Sequence, residues 1–287
     1  MHKKIIDYAK EWQDNAEADA LWAILTNSKY YGNKWDVADF FATGEEEISR
    51  VFRFMEQQTL NLPSGKFLDF GCGVGRLSKA LKRRFGLGVG VDISPKMTEL
   101  ARGYVRDVEF VTNQNDSLAF LEDSSIDFVY SHLVLQHIPN YYQKHYITEF
   151  LRILRPGGLA VFQIFLEIIN PCEPIIFKLK RVLKELMPFL IIIKRRLNNP
   201  ATPHHDIRFE MHPLPDCEIQ KICEQHGCVI EAAPATNSCD ANHNGNVVFY
   251  DAVMQRKLIE DSGRPNQYFS CMYFVRKPLP ESASDEI

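Results

Sequence analysis

The chain has 287 residues, of which 45% are hydrophobic, and its formal net charge is -4. This length fits one large α/β domain with additions or two small domains, and the hydrophobic content predicts a packed core. The mildly acidic balance lacks the basic face that non-specific nucleic-acid binding needs, so no nucleic-acid partner is expected. The first residues lack the apolar run of a signal peptide and no apolar stretch is long enough to span a bilayer, which together predict a cytoplasmic protein.

The seven cysteines are an odd number and contain no C-x-x-C pair. Four of them cluster between positions 217 and 239, but their spacings differ from those that zinc sites use, so no metal site is predicted. Reduced thiols that act as small buried hydrophobes are the expected state in a cytoplasmic protein.

The first 60 residues are predicted to form helices that act as an N-terminal cap. Thr43 is a plausible N-cap, because the three glutamates at 45–47 suit the positive first turn of a helix. An aromatic loop at 29–35 precedes this segment. Its side chains are either wall residues of a substrate cavity or ordinary packing residues, and the candidates for the cavity are Tyr30, Tyr31 and Trp35.

A glycine-rich turn at 71–75 follows an apolar strand at 66–70 and precedes a helix at 75–85. Its G-x-G-x-G spacing lets the backbone approach a ligand, because three positions carry no Cβ. The next strand, at 87–92, ends in Asp92, where a doubly wound sheet holds an adenosine ribose. A helix at 95–103 and a strand at 107–112 continue the alternation.

A fourth apolar strand at 127–131 leads into the sequence S-H-L-V-L-Q-H-I-P. A helix at 147–154 follows and is expected to end at the R-P-G-G turn of 155–158, before a fifth strand at 159–165. A sixth strand is expected to begin at 228 and a seventh at 268–275, while 247–258 is ambiguous between strand and helix.

The three motifs L-D-F-G-C-G-V-G-R, G-V-D-I-S and L-R-P-G-G resemble those of the class I S-adenosylmethionine (SAM)-dependent methyltransferases. The resemblance implies an α/β fold with a Rossmann-like seven-stranded sheet, whose seventh strand is antiparallel and lies between strands five and six. It also implies SAM as cofactor and a small-molecule methyl acceptor. The residues implied to bind SAM are Asp69, Gly71, Cys72, Gly73, Gly75, Arg76, Asp92, Ile93, Gln114, Asn115 and Ser131.

Methyl transfer to an oxygen or nitrogen releases a proton, and histidine is the usual base near neutral pH. The candidate catalytic residues are His132 and His137 beside the fourth strand and His205 further on, with a structural role favoured for His137. His132 is one residue beyond the strand end and is expected closest to the transferred methyl group. His132 and Gln136 are also substrate-binding candidates.

The methyltransferase domain is predicted at 61–277, with a helical insertion at about 168–215 after strand five and a disordered tail at 278–287. Within the insertion, 174–196 combines an apolar face with a basic one. Three roles remain open for this segment: a lid over the acceptor site, a homodimer contact, or a peripheral contact with an anionic membrane or lipid-linked acceptor.

The favoured function is methyl transfer from SAM to a sugar, a lipid-linked glycan or a natural product. A membrane-associated or scaffold protein that keeps the SAM-binding fold without catalysis is one alternative. An NAD(P)-dependent oxidoreductase on a related sheet is another, although the glycine spacing speaks against it.

Overall fold

The computed structural model of the chain describes residues 4–169, 210–237, 247–261 and 267–280. These residues form one nine-stranded sheet with helices on both faces. The strands are β1 (Lys66–Phe70), β2 (Leu87–Asp92), β3 (Glu109–Thr112), β4 (Ile126–Ser131), β5 (Leu154–Ile169), β6 (Val229–Ala232), β7 (Ala235–Thr236), β8 (Phe249–Tyr250) and β9 (Gln267–Arg276). The helices are α1 (Ile5–Ile24), α2 (Val37–Gln57), α3 (Arg76–Lys82), α4 (Pro95–Tyr104), α5 (Asn140–Ile153), α6 (Asp216–Gln225) and α7 (Ala252–Asp261).

The strand order β3-β2-β1-β4-β5-β9 confirms the predicted fold class. The first five strands of this order are parallel, with Phe67 paired to Gly88 on one side and to Phe128 on the other. Strand β9 runs antiparallel to β5 and to β6, so it lies between them, as expected for the seventh strand of the family. The short strands β7 and β8 extend the sheet beyond β9.

Alternate residues of the central strands are buried on opposite faces of the sheet, as the period of a strand requires. Leu68 and Val129 pack in the core on the side of α5 and α6. Phe67 and Phe128 pack in the core on the side of α2 and α3. Burial on both faces explains why these strands read as continuous apolar runs in the sequence.

Helix α2 begins earlier than the sequence predicted. Asp36 is its N-cap and accepts from the backbone N–H of Asp39, so the prediction of Thr43 as N-cap is wrong. Thr43 lies inside the helix, where its hydroxyl donates to the carbonyl of Phe40. The glutamates at 45–47 are consequently mid-helix residues, and one of them, Glu47, faces the core.

Helix α2 packs closely against α3 at Gly44. A Cβ at Gly44 would lie 2.5 Å from the carbonyl oxygen of Arg76. This close approach fixes the first turn of α3, and with it the glycine-rich turn that precedes it.

The aromatic loop is held against α1 by a buried carboxylate. Asp19, where α1 is kinked, accepts hydrogen bonds from the backbone N–H groups of Trp22, Gly32 and Asn33. Within this loop Tyr30 stacks on Trp35, with 3.7 Å between the ring centroids. Trp35, with Tyr30 partly buried against it, thereby belongs to a small core.

The structure revises one further prediction of secondary structure and resolves one ambiguity. Strand β5 begins at Leu154 and includes the R-P-G-G sequence, because Leu154 already pairs with Ile126 and the Gly157 N–H donates to the carbonyl of Lys277. The ambiguous stretch 247–258 contains both the short strand β8 and most of α7. The segment 174–196 lies outside the described residues, as does His205.

Candidate active site

A cavity of about 330 Å³ opens at the carboxyl ends of β1, β2 and β4. This is where open α/β sheets bind their ligands. One part of its wall comes from the glycine-rich turn and the ends of β2 and β4, and the other from α1, Met211 and Tyr268. The lining residues are Tyr8, Trp12, Ala23, Ile24, Leu25, Thr26, Gly71, Cys72, Gly73, Arg76, Leu77, Asp92, Ile93, Met97, His132, Leu133, Val134, Gln136, His137, Ile138, Met211 and Tyr268.

The glycine-rich turn leaves no room for side chains. Gly71 has a φ of +75°, and a Cβ there would lie 2.1 Å from Cγ2 of Val134. Gly73 has a φ of +52°, and a Cβ there would meet Ile24 of α1 at 2.6 Å. Only glycine tolerates both the left-handed backbone and the contact, so the turn presents bare backbone to the cavity.

Asp92 is held at the cavity wall by backbone donors. Its two carboxylate oxygens accept from the N–H groups of Gly73 and Ser94, each at 2.9 Å. Burial raises the pKa of Asp92 above its ordinary value, while these hydrogen bonds act in the opposite direction. The second of them belongs to the turn that Pro95 and the N-cap Ser94 form at the start of α4.

Asp69 lies behind the glycine-rich turn rather than on the cavity wall. One carboxylate oxygen accepts from the Ser78 hydroxyl at 2.5 Å, and the other has no hydrogen-bond partner among the described residues. Burial raises the pKa of Asp69 to about 7, against the lowering effects of Ser78 and Arg76. The carboxyl group therefore titrates near neutral pH.

A buried polar cluster made of Glu47, Arg76, Tyr130 and His132 lies between α2 and the cavity. Nη2 of Arg76 is 2.8 Å from Oε2 of Glu47. Nδ1 of His132 and the Tyr130 hydroxyl are 2.7 Å and 2.9 Å from Oε1 of the same carboxylate. Arg76 and His132 also line the cavity, so this cluster connects α2 to the site.

The chain leaves β4 in an uncommon conformation. Leu133, the residue after His132, has a φ of +61°. A left-handed backbone at a residue other than glycine costs about 1–3 kcal/mol and is concentrated at functional sites. This turn sends the chain round the cavity directly after the candidate base.

His137 is fixed by hydrogen bonds at both ring nitrogens. Nδ1 is 3.1 Å from the carbonyl oxygen of Glu210, and Nε2 is 3.0 Å from the amide nitrogen of Gln136. Burial lowers the pKa of His137 to about 4. Trp12 of α1 packs edge-on against the imidazole, with 5.6 Å between the ring centroids. These contacts favour the structural role for His137, since the ring holds α1 and Glu210 against the cavity mouth.

Several predicted site residues lie away from the cavity. The aromatic loop places Tyr30, Tyr31 and Trp35 against α1, because Asp19 and Trp22 hold it there. The aromatic wall comes instead from Tyr8, Trp12 and Tyr268.

The remaining predicted cofactor residues surround the site without lining it. Gly75 caps α3 in a left-handed conformation. The Gln114 amide donates to the carbonyl of Ile93 at 3.4 Å, and the carbonyl of Asn115 accepts from Tyr146. Ser131 ends β4 fully buried, and its hydroxyl has no hydrogen-bond partner among the described residues.

Glu47 is the site residue that the sequence did not indicate. Its signal was its spacing, since it shares one helical face with Phe40, Gly44, Val51 and Met55, all buried. A carboxylate on an otherwise apolar face predicts a buried partner.

Residues 68–162 match the family model described as a methyltransferase domain. This segment holds the glycine-rich turn, Asp92 and His132. This segment is a class I SAM-dependent methyltransferase domain. Glu47 and the whole of α1 lie outside the matched segment.

Two of the curated relatives are named as methyltransferases of small-molecule biosynthesis. The 2-methyl-6-phytyl-1,4-hydroquinone methyltransferase of Synechocystis sp. is 27% identical over 62% of this chain and 56% of its own length. The ubiquinone biosynthesis O-methyltransferase of Idiomarina loihiensis is 31% identical over 38% of this chain and 46% of its own length. The chain thus spans about half the length of these relatives.

A solved methyltransferase shares the fold of the described residues. Magnesium protoporphyrin IX methyltransferase from Synechocystis PCC 6803, with bound S-adenosylhomocysteine (SAH), covers 94% of this chain and 99% of its own, with a TM-score of 0.54 and 17% identity. At this identity the likeness concerns the fold alone. Among the described residues, none of the helices combines the length and apolarity needed to cross a membrane.

Proposed function

We propose that this protein transfers the methyl group of SAM to an oxygen or nitrogen of a small-molecule acceptor. The observation that carries the proposal is the position of His132. It lies on the wall of the cavity that the glycine-rich turn and Asp92 form, and its Nδ1 is 2.7 Å from a buried carboxylate. Donor-binding features and a candidate base therefore share one cavity.

The residues present fit SAM. Asp92 offers a carboxylate at the end of β2, where the ribose of an adenosine ligand is held in this fold. The bare backbone of Gly71 and Gly73 accommodates the close approach of the ligand. When bound, SAM supplies an activated methyl group on a sulfonium centre, so the tasks left to the chain are positioning and proton removal.

His132 is the residue that would accept the proton of the acceptor. It is buried, lines the cavity and directly follows β4, whose carboxyl end faces the ligand. His137 is less suited, because both of its nitrogens are already hydrogen-bonded. General-base catalysis of this kind contributes about 10²–10⁴-fold to a rate.

The cavity wall favours a ring-bearing natural product over a sugar or a lipid-linked glycan. The residues that line the cavity include Tyr8, Trp12, Ile138, Met211 and Tyr268. Such a wall buries flat apolar groups well, whereas the hydroxyls of a sugar need several polar partners. The hydroquinone acceptor named for the Synechocystis relative agrees with this choice. A cytoplasmic location, and dimer or membrane contact through 174–196, stay predictions.

Calorimetric titration of the purified chain with SAH tests the donor half of the proposal. We expect SAH to bind and to raise the melting temperature, and NADH to do neither. Asp92→Ala should abolish SAH binding, while Asp14→Ala, which changes an exposed carboxylate of α1, should leave it unchanged. Absence of SAH binding to the unmodified chain would contradict the proposal.

The acceptor half is tested by transfer of radiolabelled methyl from SAM. A panel of hydroquinones, phenols and amines is compared with a panel of sugars. We expect incorporation with a ring-bearing member and its loss in His132→Asn. Incorporation that is undiminished in this variant would exclude His132 as the base.

A further inference from the structure

The carboxylate of Glu47 is fully buried and has a partner on each side. Oε2 accepts from Nη2 of Arg76 at 2.8 Å, while Oε1 lies 2.9 Å from the Tyr130 hydroxyl and 2.7 Å from Nδ1 of His132. The side chains of Glu47 and His132 are both inaccessible to solvent, so an acceptor reaches the His132 ring only when the cavity wall beside it moves.

Glu47 remains ionised in this setting. Burial by itself would raise its pKa, but the charge of Arg76 and the interactions with His132 hold the pKa well below its ordinary value. An ionised carboxylate only accepts hydrogen bonds. The proton between Glu47 and His132 therefore belongs to the imidazole.

We propose that Glu47 is the positioning residue of the base, and that its carboxylate holds His132 in the tautomer that carries its proton on Nδ1. This inference rests on the proposed function, since it concerns the same histidine. In that tautomer the lone pair is on Nε2, which is the form a general base requires. Glu47 itself does not touch the acceptor.

The proton balance of the transfer follows from this arrangement. As the acceptor oxygen or nitrogen forms its bond to the methyl carbon, the carbon–sulfur bond breaks and its electron pair stays on sulfur, which leaves SAH. The acceptor's proton passes to Nε2 of His132. The imidazolium that results keeps its Nδ1–H on the anionic carboxylate of Glu47, which stabilises the added charge.

Replacing the carboxylate by an amide reverses the tautomer. Arg76 can only donate, so in Glu47→Gln the amide oxygen must face Arg76. The amide NH₂ then faces Tyr130 and His132, in the place of Oε1. Because it donates, Nδ1 of His132 must accept, and the ring proton moves to Nε2.

The experiment records the tautomer of His132 by ¹⁵N-detected imidazole spectra of the SAH complex at mildly alkaline pH. The signals are assigned from their loss in His132→Asn. We expect the Nδ1–H tautomer in the unmodified protein and the Nε2–H tautomer in Glu47→Gln. A merely structural role of Glu47 would not move this readout.

Two control variants localise the effect. Tyr130→Phe removes the other partner of Oε1 and should keep the Nδ1–H tautomer. Glu46→Gln changes an exposed glutamate of the same helix and should match the unmodified protein. A tautomer change in either control would overturn the assignment to Glu47.

The unmodified protein alone also decides the matter if Glu47→Gln does not fold. An Nε2–H tautomer there would overturn the inference, as would an unchanged Nδ1–H tautomer in a folded Glu47→Gln. The proposed function fails separately, by the absence of SAH binding in the same samples.

Discussion

The buried carboxyl of Asp69 should make the stability of the protein depend on pH in an identifiable way. Its pKa is about 7 in the folded protein, against an ordinary value of 3.8. The folded state thus binds the Asp69 proton more tightly than the unfolded state does. The stability that this group contributes is fully present below the ordinary pKa and is lost as pH rises through about 7.

The magnitude follows from the same two values. At 1.36 kcal/mol for each pKa unit, moving from 3.8 to about 7 corresponds to about 4 kcal/mol across the window. Asp69→Asn keeps the shape and can still accept from the Ser78 hydroxyl, but it does not titrate. The stability of the variant relative to the unmodified protein should therefore rise by up to about 4 kcal/mol between the two pH values.

The assay is urea unfolding of both proteins at a series of pH values across this window. Only the difference between the two proteins is used, because Glu47, Asp92 and the surface groups titrate in both. A difference that stays constant with pH would refute the reasoning, since it would mean that Asp69 has the same pKa in the folded and unfolded states. A difference that falls with rising pH would refute it as well.

Two further predictions concern the packing of the N-terminal helices. Gly44→Ala should destabilise the fold by about 1–3 kcal/mol, because its Cβ would meet the backbone of Arg76. The control is Gly103→Ala, where a Cβ meets nothing within 4 Å. In the same thermal unfolding series this control should be neutral or stabilising by up to about 1 kcal/mol. Equal effects at the two glycines would contradict the close contact. Asp19→Ala removes the acceptor of three backbone N–H groups and should expose the tryptophans beside it, seen as a red shift and easier quenching of fluorescence. Unchanged fluorescence and stability would exclude this anchoring role.

The donor half of the site could be predicted from sequence because its signals are local. The glycine-rich turn, Asp92 and His132 each directly follow an apolar strand, and parallel strands bring their carboxyl ends to one edge of the sheet. The order of the strands follows from the same alternation of strands and helices. Short-range patterns therefore determined both the fold class and the place of the cavity.

The start of α2 could not be read correctly because two good capping residues compete. Asp36 and Thr43 both favour an N-cap, and the glutamates after Thr43 suit a first turn. The aromatic and apolar contacts of Phe40 and Phe41 in the core select the earlier start. Tertiary packing thus overrode a local signal, and with it the place of Glu47 was missed.

The aromatic wall of the cavity could not be predicted because it depends on contacts between distant parts of the chain. Tyr8 and Trp12 reach the cavity since α1 is fixed to the start of α4, where Gln13 accepts from the Ser94 hydroxyl and the Lys96 N–H. No periodic pattern in the sequence predicts that α1 packs against the start of α4. From the sequence alone, Tyr30 and Trp35 fit a cavity wall equally well, because the sequence does not show that their loop packs against α1.

Glu47 lies on α2, outside the segment that matches the methyltransferase family model. The segment that carries the family motifs, 68–162, contains the donor site and His132 but not the carboxylate beside it. On the proposed function, exchanging α2 would leave the donor site in place and would change the tautomer of His132 according to the residue that replaces Glu47. On the proposed function, the motif segment therefore determines the methyl donor, whereas the helix before it influences which acceptors can be deprotonated.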